Sequence, residues 1–216
     1  MQNVEAERRR LFKTTIRNMK NITILFLLSF ICCNNATTDV IPVKDYTTTN
    51  SEALQFCKDN NFNEDYYYLI DLSIHPGKNR FFIHDFKQNK VIDKNLVTHG
   101  SCDQFETNPT KWEKAKFSNK ADSHCSMKGK YKIGKRDYSS WGINVKYWLH
   151  GLEKSNSNAV KRVVVLHSWD AVANEEVYPN VSPLSWGCPA VSDEFMRKLD
   201  TQLKATKKPV LLWIIE

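Results

Sequence analysis

The residues best suited to chemistry are a cysteine and a histidine. Cys188 stands in the stretch Pro183-Leu184-Ser185-Trp186-Gly187-Cys188-Pro189-Ala190-Val191, and His167 precedes it by 21 residues. A cysteine behind a glycine, in a tight Ser-Trp-Gly-Cys-Pro turn, has little to offer a core. His167 follows the apolar run Arg162-Val163-Val164-Val165-Leu166. Val163–Leu166 reads as a buried strand, with the histidine emerging at its end. A free thiol has a pKa of about 8.5, so little of it is thiolate at neutral pH. An imidazole on a neighbouring segment takes up the thiol proton and makes the sulfur a nucleophile. Gly187 lets the backbone approach closely, so the amides of Gly187 and Cys188 can point at a developing oxyanion. The competing reading is a buried structural cysteine near a core histidine. The compact turn behind a strand that ends in histidine favours the nucleophile.

The elements that must position this pair are mostly strands. Tyr66–Leu72, Arg80–Phe86, Lys90–Ile92 running on through Leu96–Thr98, and Val145–Leu149 are rich in aromatic and β-branched residues, with turn residues between them. That spacing predicts an antiparallel meander. Residues 101–140 are polar and read as loop, and 168–182 as a polar connection. Ser192 caps a helix whose first turn carries Asp193 and Glu194. Phe195, Met196, Leu199 and Leu203 share one face of it, and Pro209 stops it. Its start just after Cys188 adds a favourable field for negative charge. Val210–Ile215 is a final buried strand. Residues 34–50 read as a polar, Thr-rich linker, Ser51 could cap a short helix through Lys58, and after this span of 34–62 the globular body is expected from residue 63 to 216.

Composition bounds the rest. Of 216 residues, 41% are hydrophobic and 25% charged, which is globular composition. The net charge is +7, of which residues 1–20 carry +4 and the remaining body +3. Basicity confined to the N-terminus argues against nucleic acid as a partner. Ile22–Ile31 is a short apolar run behind basic residues. It is too short for a comfortable membrane span and has the length of a signal-peptide core. Residues 1–33 therefore read as an export segment, with Met19 a candidate true start. Cys32 and Cys33 end that run. Lipid anchoring at one of them and simple cleavage both stay open. Export permits a disulfide among Cys57, Cys102 and Cys125, with Cys102–Cys125 the plausible pair and Cys57 a competitor. A zinc site from His99, Cys102, His124 and Cys125 is disfavoured, because adjacent His124 and Cys125 point different ways. No metal or cofactor is expected.

The blocks His99-Gly100-Ser101, Phe117-Ser118-Asn119, Ser123-x-x-Ser126, Gly129-x-Tyr131, His150-Gly151-Leu152-Glu153, Leu166-His167 and Ser185-Trp186-Gly187-Cys188-Pro189-Ala190 fall in a recognisable order. Over residues 65–195 the chain resembles the YkuD-type L,D-transpeptidases, in the murein L,D-transpeptidase catalytic-domain branch. The resemblance implies a mostly β fold, a β-sandwich or barrel with a few short helices. It implies that Cys188 attacks the L-to-D peptide bond of a peptidoglycan stem peptide and forms a thioester. His167 is then the base, oriented by the main-chain carbonyl of Ser168. Gly187 and Cys188 supply the oxyanion hole, and Ser185 braces the turn. His99, Ser118, Asn119 and Ser126 would line the substrate cleft beside Trp186, although His99 also reads as a polar strand end without a role. Acylation by carbapenems is a property of the family, and the setting implied is the periplasm or cell envelope. Trp186 precedes Gly187 where other branches have histidine. Leu184 and His150 replace residues common in the named branch, and 103–116 reads as an insertion. The rival readings are a papain-like cysteine peptidase, disfavoured because His167 precedes Cys188 in a β context, and a wall-binding module with a degenerate site.

Overall fold

A computed structural model describes residues 44–102 and 112–216. The expected export segment with Met19, Cys32 and Cys33, most of the Thr-rich stretch, and much of the insertion over 103–116 lie outside the described residues. Asp45–Glu216 forms one compact unit. It contains helix α1 (Thr47–Asp59), strands β1 (Tyr66–Asp71), β2 (Phe81–Asp85), β3 (Lys90–Asn95), β4 (Gly129–Tyr138), β5 (Val145–Gly151), β6 (Val165–Ser168) and β7 (Ala190–Val191), helix α2 (Asp193–Ala205) and strand β8 (Leu211–Ile215). The fold is mostly β, as the sequence predicts.

The strands form one sheet in the order β3-β2-β1-β8-β4-β5-β6-β7. β1 is the third strand from the β3 edge and is buried along its whole length. Tyr68 and Ile70 enter the larger apolar cluster, while Tyr67 and Leu69 enter a smaller one under α1. Both faces are covered, so the sequence of β1 runs continuously apolar instead of alternating. The smaller cluster takes Ala53 and Cys57 from α1. The helix is therefore part of the body and not of a linker, which moves the start of the compact unit from the expected residue 63 back to Asp45. It begins at Thr47, and the Ser51 hydroxyl donates to the Thr47 carbonyl inside it instead of capping it.

Two features depart from a simple meander. The C-terminal strand β8 inserts between β1, to which it is parallel, and β4, to which it is antiparallel. The ten-residue strand β4 occupies part of the region read as loop. Its buried Gly129, Tyr131 and Ile133 alternate with Lys130 and Lys132, a period-2 signal hidden by lysines.

The two ends of the sheet come together just past β3. The Thr98 N–H donates to the Ala190 carbonyl at 2.9 Å, and the Ala190 N–H donates to the Thr98 hydroxyl at 3.0 Å. The sheet is thus nearly closed around the large cluster. Helix α2 plugs that cluster with Phe195, Met196 and Leu199. The Ser192 hydroxyl caps it by accepting from the Phe195 N–H. Among the described residues, no helix is long and apolar enough to cross a membrane.

Candidate active site

The closure brings the two chemistry-bearing residues together. β6 and β7 are parallel, with His167 beside Ala190. Two residues back along each strand, Cys188 falls beside Val165, and the Val165 N–H lies 3.5 Å from Cys188 Sγ. The sulfur and the imidazole therefore occupy diagonal positions on adjacent strands, about 7–8 Å apart at the backbone, a gap that side chains can narrow. No hydrogen bond joins the two side chains among the described residues. The thiol instead donates to the Val163 carbonyl at 3.7 Å.

Cys188 is free and partly exposed, while Cys57 is free and buried. Burial against the turn pushes the Cys188 thiol pKa up, opposed by the Val165 N–H and by the charges of Arg162 and Lys146. His167 Nδ1 lies 2.9 Å from the Ser168 carbonyl. A carbonyl only accepts, so the proton sits on Nδ1, and Nε2 is left with a lone pair. Burial holds the His167 pKa below its ordinary value. The Ser168 carbonyl works against that shift, and the nearby Lys146 charge adds to it. Lys146 is the direct cross-strand partner of His167. The resting pair is therefore a neutral thiol and a neutral imidazole. The Ser168 carbonyl is held in turn by the β4–β5 connection. Its hydroxyl accepts from the Ile143 N–H, and Gly142, at φ +53°, lets that turn pass so close that a Cβ there would collide with Ser168.

The turn before Cys188 is built by side-chain oxygens. The Ser185 hydroxyl donates to the Cys188 carbonyl at 2.6 Å and accepts from the Gly187 N–H at 3.2 Å. The Thr98 hydroxyl donates to the same carbonyl at 3.0 Å. The Cys188 N–H has no hydrogen-bond partner among the described residues. Gly187 has φ +100°, and a Cβ on it would lie 2.6 Å from the Cys125 carbonyl. Gly187→Ala is expected to push the turn away from that carbonyl. A shift of about 1 Å at the nucleophile costs about 100-fold in rate. The rate of Cys188 acylation by a carbapenem measures this, with the melting temperature showing that the fold survives.

Several residues expected to line the cleft have hydrogen-bond partners within the scaffold. His99 is 2% exposed, and its Nδ1 lies 2.9 Å from an Arg80 guanidinium nitrogen. Burial, together with the Arg80 charge, drives its pKa down to about 3. The Ser126 hydroxyl is 3% exposed and accepts from the Gly100 N–H. The Asn119 amide bridges Lys154, Ser157 and Asn158. The Ser118 carbonyl takes a hydrogen bond from Arg162. These bonds join loops to one another, and His99 also lines a small cavity with Trp112 and Leu184. Trp186 is the exception. It is 68% exposed and stacks on His124, with ring centroids 4.7 Å apart. Cys102 and Cys125 form a disulfide in the segment packed against Gly187, which removes both sulfurs from the zinc arrangement considered above. The sequence reading missed Thr98, Lys146 and Arg162. A lone arginine leading into a buried strand was the available signal for the last.

This geometry, a Cys–His pair on adjoining parallel strands of a nearly closed β sheet, agrees with the sequence comparison. The L,D-transpeptidase catalytic-domain family matches residues 41–212, and the chain belongs to that family. Solved structures similar to it are more distant. An L,D-transpeptidase fragment from Xylanimonas cellulosilytica is 12% identical, with a TM-score of 0.41 over 74% of this chain and 68% of that one. A mutant L,D-transpeptidase of Enterococcus faecium is 11% identical, with a TM-score of 0.43 over 70% and 50%. Bd1075 of Bdellovibrio bacteriovorus is 16% identical, with a TM-score of 0.43 over 71% and 49%. This chain thus spans about half the length of the last two. Compared with curated proteins by sequence, it has no match.

Proposed function

We propose that the protein is an exported L,D-transpeptidase that uses Cys188 to cleave an L-to-D peptide bond in peptidoglycan stem peptides. The observation that carries this reading is a free, partly exposed thiol held by β7 next to a histidine whose Nε2 is free to accept a proton. His167 Nε2 takes the proton from Cys188 as the sulfur attacks the carbonyl carbon. The Cys188 N–H donates to the oxyanion, and the Gly187 N–H joins it when it leaves Ser185. The carbon–nitrogen bond breaks, the imidazolium gives its proton to the departing amino group of the D-residue, and a thioester remains. An incoming amine then attacks the thioester, its proton passes to His167 and on to the leaving sulfur, and the thiol is restored. Water in place of the amine gives trimming instead of a crosslink.

The Cys102–Cys125 disulfide supports an oxidising compartment, hence the periplasm or cell envelope. A lipid anchor at Cys32 or Cys33 would tether the enzyme there. Exposed Trp186 offers an apolar surface to the substrate beside the nucleophile. The test is to incubate the purified protein with tetrapeptide muropeptides and an amine acceptor and to weigh the products. Loss of the terminal D-residue, with or without a new amide, is the expected result. Muropeptides recovered unchanged by a folded protein with a titratable Cys188 would count against the reading.

A further inference from the structure

Arg162 immediately precedes Val163, whose carbonyl accepts the Cys188 thiol. Its guanidinium donates from Nη1 to the Ser118 carbonyl and from Nη2 to the Cys125 carbonyl, both at 2.7 Å. That Cys125 carbonyl is the atom a Cβ on Gly187 would strike, and Arg162 Nη2 is 3.3 Å from the same Cβ position. The fork is thus wedged against the Gly187–Cys188 turn. Both of its partners are neutral carbonyls. Among the described residues, no carboxylate forms an ion pair with Arg162. A partly buried cation without a neutralising partner is costly to keep. Such a charge beside a nucleophile points to negative charge that forms there during reaction.

We infer that Arg162 is a positioning residue that fixes a permanent positive charge against the Gly187–Cys188 turn, favouring the Cys188 thiolate and the oxyanion that follows it. The inference rests on Cys188 being a reactive nucleophile, a premise it shares with the proposed reaction. The other groups facing the sulfur do not duplicate this role. Lys146, from β5, also bears on Cys188, but its partly exposed ammonium lies over the Trp148 ring and not against the Gly187–Cys188 turn. His167, from β6, is neutral at rest. Tyr131, from β4, donates its hydroxyl to the Met127 carbonyl, and burial keeps it protonated. Asp122 acts on Arg162 only at longer range.

The test uses the full-length protein and iodoacetamide. The rate of Cys188 alkylation is followed from pH 6 to about 11.5, with the labelled residue located by peptide mass spectrometry. The Arg162→Gln variant keeps a hydrogen bond and loses the charge, so its midpoint is expected to rise by about one pH unit. Arg162→Lys keeps the charge and loses the fork, and its midpoint is expected to stay within a few tenths of wild type even if its melting temperature falls. A purely structural brace predicts the opposite pattern. A folded Arg162→Gln that titrates like wild type, or a folded Arg162→Lys that moves a full unit upward, overturns the inference. The lysine variant decides alone should the glutamine variant not fold. Peptidoglycan turnover does not enter this readout. Alkylation behaving as expected beside unchanged muropeptides sinks the transpeptidase reading and leaves the Arg162 inference standing.

Discussion

Cys188→Ala is expected to lower turnover of muropeptides by about 10⁴- to 10⁶-fold while leaving the fold intact. The loss is large because, among the described residues, Cys188 is the one free thiol that is not buried. Cys57 is buried, with its pKa pushed up to about 12 by that burial, and Cys102 and Cys125 are bonded to each other. The fold should survive because the turn is held through the Cys188 carbonyl, to which Ser185 and Thr98 donate, and not through the sulfur. Intact-mass measurement after carbapenem treatment should show one adduct on wild type and none on the alanine variant. Near-equal melting temperatures complete the test. Retained turnover in the variant would mean that another group performs the attack.

His167→Ala is the second large effect, at about 10²- to 10⁴-fold in kcat/KM at neutral pH. Its pH dependence is more informative than its size. The wild-type imidazole has its pKa drawn below 6.5 by burial, so it stays a competent base well into mildly acidic solution. Activity should then fall only as pH drops through that lowered value. Without the imidazole, the thiol must ionise unaided. Burial raises its pKa above the ordinary 9.0, so the residual activity of the variant should climb only in alkaline solution. Measuring kcat/KM from pH 5 to 10 separates the two. A variant whose profile overlays that of wild type, merely scaled down, would show that His167 positions groups without moving the proton.

The juxtaposition of His167 and Cys188 was legible because its signals are local. The Ser-Trp-Gly-Cys-Pro turn and the strand ending in His167 each announce themselves within a few residues. The Ser168 and Ser185 roles followed from the family likeness, and their hydrogen bonds are present. The scaffold partners of His99 and Ser126 were not legible, for a physical reason. A polar residue at a strand end reads the same whether its partner is a ligand or a buried Arg80, and that partner comes from a distant part of the chain. Arg162 escaped notice for the same reason, since its meaning lies in carbonyls 37 and 44 residues away. β4 was lost among lysines, and the insertion of β8 between β1 and β4 is a pairing that periodicity does not encode.

The parallel pairing of β6 with β7 has an evolutionary corollary. The mutual placement of His167 and Cys188 is fixed by main-chain bonds between these two short strands and by the Thr98 clasp on Ala190. The excursion over 169–187 only has to leave one strand and return to the other. Trp169, whose N–H donates to the Val191 carbonyl, and Asn174, bonded to Asn95 and Ser192, are tied to that frame, while exposed side chains elsewhere in the arc can change without disturbing it. On the proposed reaction, variation that tunes the acyl acceptor is expected in those exposed side chains, with Cys188 and His167 kept.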